Sequence, residues 1–173
     1  DLGEGFGPWH MGDDARILSI VSSANIACGG HAGDPDTMFR TLSLARDKGV
    51  SVGAHPGYAD PIGFGRRVIP MSLDEIAHMC AAQIGALQGV AALVGVPVAY
   101  VKPHGALANL AARDRAVADA IMAAIHKIAP DMAVLAISGT QTEQAARAAG
   151  LAVYSEIFAD RAYLSSGQLV PRD

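Results

Sequence analysis

Aromatic residues make up only 5% of this chain, cysteine occurs twice, and charged residues account for 17% of positions. The last two shortages each remove a class of function. With thirteen Lys and Arg scattered along the chain and a formal charge of −4, there is no basic face of the kind that marks a nucleic-acid-binding protein. Cys28 and Cys80 lack CxxC spacing and sit in apolar surroundings, which predicts two buried thiols in a reducing compartment rather than a disulfide or zinc framework. No secretory leader is recognisable, so a cytoplasmic location is expected. Apolar stretches such as residues 91–101 are interrupted by Gly95 and Pro97 before the roughly 20 residues a membrane helix needs. The chain also lacks a GxxxxGK[ST] loop and a GxGxxG turn between a strand and a helix, so neither a Walker-type nucleotide site nor a dinucleotide site is legible in it. HExxH is missing too, so metal ligands would have to come together from distant segments.

What remains is 51% hydrophobic over 173 residues, enough to bury one sizeable core, and residues 1–173 read as a single α/β domain. Short β-type runs alternate with longer helical ones, the pattern of βα units around a parallel sheet or barrel. The predicted strands are 22–28, 50–54, 98–102, 133–137 and 152–158. Helix starts are marked by Asp34 followed by Pro35, and by Ser72 with Glu75 and Thr140 with Glu143 at capping-box spacing. Gly49, Gly95 and Gly150 stand where a left-handed residue closes the last turn. A start at Asp1 without methionine, and an end in a polar stretch, lead us to expect a chain shortened at both ends.

The polar residues that break the apolar pattern fall at the carboxyl ends of the predicted strands, where parallel α/β folds build their sites. After the first visible strand, Asn25 leads into the glycine-rich turn with His31 and Asp34; the N-cap reading of Asp34 outweighs a catalytic one. His55 stands at the tip of the second strand, on a loop bent by Pro56 and Gly57. Lys102 and His104 follow the third, two residues apart and expected to point the same way, which suits a general acid or base beside an anion clamp. Asp160 and Arg161 follow the last strand, either as an exposed pair of little energetic weight or with Arg161 reaching a carboxylate. Asp1 and Glu4 would occupy the tip of an upstream strand, if one exists. His31, His55 and His104 with nearby carboxylates are candidate ligands for a divalent metal, whereas His10, His78 and His126 fall away from strand tips and read as surface or packing residues.

The segments DLGEGFG from Asp1, SANIACGGHAGDP from Ser23, GAHPGY from Gly53, GFGRR from Gly63, VKPHGAL from Val101 and FADRAY from Phe158 resemble, in this order and across the whole chain, the LamB/YcsF or lactam-utilisation family of 5-oxoprolinase A subunits. Gly30 stands where that family usually has an aromatic residue, and Ala108 where tyrosine is common. The resemblance implies an incomplete or irregular (β/α) barrel similar to those of sugar deacetylases. It further implies one component of an ATP-consuming enzyme that opens 5-oxo-L-proline to L-glutamate, together with two other subunits, B and C, and magnesium accompanying the ATP. In that setting His104, His55, Lys102, Asp1 and Glu4 are the expected catalytic residues, and Asn25, His31, Arg161 and Asp160 the expected substrate contacts. Association of several copies of the chain is a further expectation. Two other readings compatible with the same residues are a metal-dependent amide hydrolase acting alone and a non-catalytic subunit that positions its partners.

Overall fold

The computed structural model describes residues 1–170 apart from Ser166 and Gln168. The elements run α1 (Asp14–Ile17), β1 (Ser23–Ala27), α2 (Pro35–Lys48), β2 (Ser51–His55), α3 (Leu73–Val94), β3 (Val98–Val101), α4 (Gly105–Arg113), α5 (Arg115–Ile128), β4 (Ala133–Ile137), α6 (Gln141–Ala148) and β5 (Val153–Glu156). The expected strands are all present: β4 has the expected ends, and the others differ from expectation by at most two residues at either end. The five strands form one sheet in the order β1-β2-β3-β4-β5, every neighbour parallel. Such an order, without the reversal of a doubly wound sheet, is that of successive βα units in a barrel wall. The described strands do not close on themselves, so the architecture is an open, incomplete barrel of α/β type. Leu2 adds one further parallel position at the β1 edge: its amide donates to the Asn25 carbonyl and its own carbonyl accepts from Ala27.

The helix boundaries follow local chemistry. Asp34 accepts from the amides of Asp36 and Thr37, with Pro35 opening α2; Ser72 and Glu75 form a complete reciprocal capping box at α3. Thr140 accepts from the Glu143 amide, but the Glu143 carboxylate reaches back to Gly139 instead of Thr140. Asp114 both ends α4 and caps α5. Helix α3, at 22 residues and mean hydropathy 1.4, is long and apolar enough to cross a membrane by length and composition alone, because Gly95 falls at its very end rather than within it. Here it packs between α2 and α5 and buries Ile76, Cys80, Ile84, Leu87, Ala91 and Val94 in the core.

Alternation along the strands divides their side chains between two faces. Ala24 and Ile26, Val52 and Ala54, Val101, and Val134 and Ala136 join the helices in one continuous hydrophobic core. The other face carries Asn25, Gly53, His55, Tyr100, Lys102, Leu135 and Ile137. The register pairs Asn25 with Gly53, Gly53 with Tyr100, and Ile137 with Glu156. Gly53 is where it is because the buried Tyr100 ring lies across it; a β-carbon there would collide with the ring. The cavity described next opens on this second face, at its carboxyl end.

Candidate active site at the strand tips

Six of the nine expected site residues meet in one cluster. His31, His55 and His104 are almost fully buried, and the His31 and His104 rings stack at 3.5 Å between centroids, 7° from parallel. His55 meets both edge-on. Glu4 Oε1 lies 3.0 Å from His31 Nε2 and 3.9 Å from His104 Nδ1. Asp1 Oδ2 lies 3.3 Å from His55 Nε2, while its other oxygen accepts from Asn25 Nδ2 at 2.7 Å.

The segment carrying both carboxylates is held to the strand tips by its backbone. Beyond the two Leu2 bonds, the Gly3 amide donates to Asp14 and the Gly5 carbonyl accepts from Gly33. Asp34 accepts from the Gly7 amide as well as capping α2, so the cap reading of that residue accounts for its position.

Two main-chain carbonyls fix the ring orientations. His55 Nδ1 lies 2.6 Å from the Lys102 carbonyl and His104 Nε2 lies 2.8 Å from the Phe64 carbonyl. A carbonyl oxygen only accepts, so each of these nitrogens carries the hydrogen. The opposite nitrogens, His55 Nε2 and His104 Nδ1, face each other at 3.1 Å. Burial pulls the His55 pKa down to about 4 against the favourable Lys102 carbonyl. Burial, reinforced by the neighbouring His31 and His55, pulls His104 down to about 3. Burial also lowers His31, with Glu4 opposing it. Burial alone would raise Glu4, yet the His31 hydrogen bond and the surrounding imidazoles bring it below its ordinary value. At neutral pH the arrangement is therefore neutral rings around an ionised carboxylate.

Next to the cluster lies an open cavity of about 590 Å³, lined by Asp1, His55, Lys102, His104, Leu135, Ile137, Glu156, Phe158 and Arg161 among others. Lys102 and His104 share this cavity, but Lys102 does not stand with the imidazoles: its Nζ donates to Glu156 Oε1 at 2.6 Å and lies over the Phe158 ring. Arg161 reaches the cavity while donating to the Val170 carbonyl. Asp160 is exposed and is not part of the cavity lining: the last strand ends at Glu156 rather than Phe158, and in the segment that follows, Phe158 and Arg161 line the cavity while Asp160 does not. Asp1, Glu4, His55 and His104 bring one ligand atom each within 4.8 Å of the others. That set differs from the expected triad of histidines, since His31 spends its inward nitrogen on Glu4.

Sequence reasoning passed over three contributors. Glu156 ends β5 and faces inward like the other strand-tip groups; the signal was present, but the strand was read two residues too long. Phe64 supplies a carbonyl to His104 and a ring edge to His31 and His104, from a left-handed backbone conformation at φ 54°. Its loop is closed by a bidentate Asp60–Arg67 pair, with Asp60 also accepting from Gly63. Gln83, on α3, clamps the Gly57 main chain through both ends of its amide. It occupies the space beside Gly30, where a β-carbon would run into Gln83 and the Gly57 carbonyl. An aromatic residue at that position therefore requires a different neighbour on α3.

The LamB/YcsF family profile matches residues 1–173. A protein from Rhodopseudomonas palustris (strain BisB5), described as the A subunit of 5-oxoprolinase, is 52% identical over 173 residues, covering 99% of this chain and 68% of that protein. One of the same description from Nocardia farcinica is 53% identical over 172 residues, covering 99% and 69%. Among solved structures, the lactam utilization protein from Thermus thermophilus superposes with a TM-score of 0.96 at 46% identity, over 99% of this chain and 70% of that one.

Proposed function

The chain belongs to the LamB/YcsF family, and from that premise we propose that it acts in 5-oxoproline metabolism as the component of an ATP-dependent 5-oxoprolinase in which the lactam is opened to L-glutamate. The observation that carries this reading is the convergence of two carbonyl-oriented imidazoles and two carboxylates on one edge of a cavity, at the end of the sheet where such folds act on small molecules.

A five-membered lactam is an unstrained amide and a poor electrophile, so its opening needs activation. Phosphorylation of the amide oxygen by ATP supplies it, leaving ADP and, after water attacks the activated carbon, phosphate. Because the sequence carries no Walker-type loop, the nucleotide with its magnesium is held either through another phosphate-binding mode or by another subunit of the complex. In the cavity, His55 Nε2 and His104 Nδ1 present lone pairs toward the attacking water beside Asp1 and Glu4. Lys102 is placed to meet the charge developing on oxygen, and Arg161 to hold the ring carboxylate. Asn25 and His31 act through the carboxylates they hydrogen-bond, Asp1 and Glu4.

The test is ATP-dependent release of glutamate from 5-oxoproline by the full-length protein mixed with its two partner subunits, each omitted in turn. Activity should disappear when this chain is left out; activity that persists without it overturns the proposal. The metal-capable cluster favours one second reading, a metal-dependent amide hydrolase acting alone. Turnover without ATP or partners, abolished by a chelator, would select it.

A further inference from the structure

We propose that Asp1, Glu4, His55 and His104 form a binding site for one divalent transition-metal cation of the zinc type. The positions of the ring hydrogens are decisive. His55 Nδ1 and His104 Nε2 are committed as donors to the carbonyls of Lys102 and Phe64, so the nitrogens that face each other at 3.1 Å both present lone pairs. Asp1 Oδ2, 3.3 Å from His55 Nε2, and Glu4 Oε1, 3.9 Å from His104 Nδ1, are acceptors as well. Four acceptors thus converge, and among the described residues the one protein donor to these four atoms is His31 Nε2–H, on Glu4 Oε1; the two ring nitrogens and Asp1 Oδ2 face one another with no donor, where unpaired polar atoms are expensive. A proton joins only two of the four. A dication joins all four and balances both carboxylates.

The dimensions agree. Tetrahedral zinc with bonds of about 2.0–2.1 Å holds its ligand atoms roughly 3.3–3.4 Å apart; three of the six separations bracket that value, and all four atoms lie within 4.8 Å of one another, so the wider pairs close onto the ion by side-chain movement. Two imidazoles with two carboxylates are a donor set for zinc, iron, cobalt or manganese rather than calcium or magnesium. The surroundings are built in the manner of a metal site, since ligating imidazoles characteristically donate their second nitrogen to a carbonyl or carboxylate; both do so here. His31 is a positioning residue one contact further out, donating Nε2–H to the Glu4 carboxylate and stacked on His104. Its Nδ1 is buried without a partner among the described residues, which fits a ring held for the bond on its other side. With the cation bound, the imidazoles serve as ligands, and polarising the water passes from them to the ion. The site is defined by its geometry and not by the identity of the substrate.

The experiment is titration of the full-length, chelator-treated protein with Co²⁺, followed by its visible absorption, with Zn²⁺ as competitor. Saturation at one equivalent, with zinc displacing cobalt, is expected. His55→Ala and the nearly isosteric Glu4→Gln should each weaken binding by about 100-fold, and His31→Ala by about 10-fold with the stoichiometry kept; circular dichroism of each variant checks the fold. Absence of saturable binding by the wild-type protein, or equal affinity in folded His55→Ala and Glu4→Gln, overturns the site in favour of a proton or water among these groups. Because binding is read without turnover, a bound metal alongside absent oxoprolinase activity would sink the functional proposal alone. Full activity in a protein that binds no metal would sink this one alone.

Discussion

The tips of β1, β2 and β3 and the tips of β4 and β5 face one cavity but are built on different principles. The first three, with the Asp1–Gly5 segment beside them, carry three imidazoles nearly sealed from solvent, two of them oriented by carbonyls, in contact with a partly buried Glu4 and an exposed Asp1. The last two offer an aliphatic wall of Leu135 and Ile137 and a single ion pair, Lys102–Glu156, whose cationic half is borrowed from the end of β3. One side is preorganised for chemistry on a small group; the other has room and an adjustable charge. The division teaches that the reacting atoms belong at the imidazole edge and the rest of the ligand over the β4–β5 wall.

The largest break in that contrast comes from the imidazole side. His104→Ala in the reconstituted complex should lower kcat by about 100-fold or more, with circular dichroism unchanged; a loss confined to KM would move His104 to the binding side. Next is Lys102→Met, expected to lower kcat about tenfold with a smaller change in KM for the lactam, as loss of a group that meets charge developing in the transition state should. It also strands a mostly buried Glu156 carboxylate beside apolar neighbours, so Lys102→Met/Glu156→Gln should be more stable than the single variant by about 1–3 kcal/mol in urea melts. Gly53→Ala pushes a methyl group into the Tyr100 ring beneath both halves and should cost about 1–3 kcal/mol of stability, measurable as a lowered denaturation midpoint.

The smallest effect belongs to the β5 edge, where Glu143 ties Ser155, Arg147 and Gly139 together. The Ser155 hydroxyl first, then Arg147 and the Gly139 amide, hold its carboxyl down at about 2. A carboxyl lowered by folding contributes stability above its unfolded pKa and loses it as pH falls toward the folded one. Glu143→Gln should therefore be less stable than wild type at pH 7, and the gap should shrink between about pH 4.5 and pH 2 in a pH series of urea melts.

Much of this contrast could be read from sequence wherever periodicity carried it. Alternation alone placed His55 and Lys102 on the face opposite Val52, Ala54 and Val101, and glycine and capping signals fixed the helix ends around them. That the three histidines touch was not legible, because their approach depends on sheet curvature and on loops without a period. Phe64 shows the limit most plainly: the residue contributes through its backbone oxygen, which no side-chain pattern encodes. Glu156 was missed for the opposite reason, an overlong strand that drew attention past it to Asp160.

The alternation of side chains has one more consequence, for folding. Each imidazole arrives on a different βα unit, so their meeting requires every intervening strand pair to settle in its proper register. A slip of β2 by a single residue would turn His55 into the helix layer and leave Ala54 facing the cavity. Whereas β2 is held by Gly53 beneath the Tyr100 ring, the aliphatic strand β4 discriminates poorly between such alignments, since small apolar groups tolerate either side. The polar tips do not, and they act as alignment keys: the residues that make the site also penalise the misthreaded sheets that its apolar strands would otherwise accept.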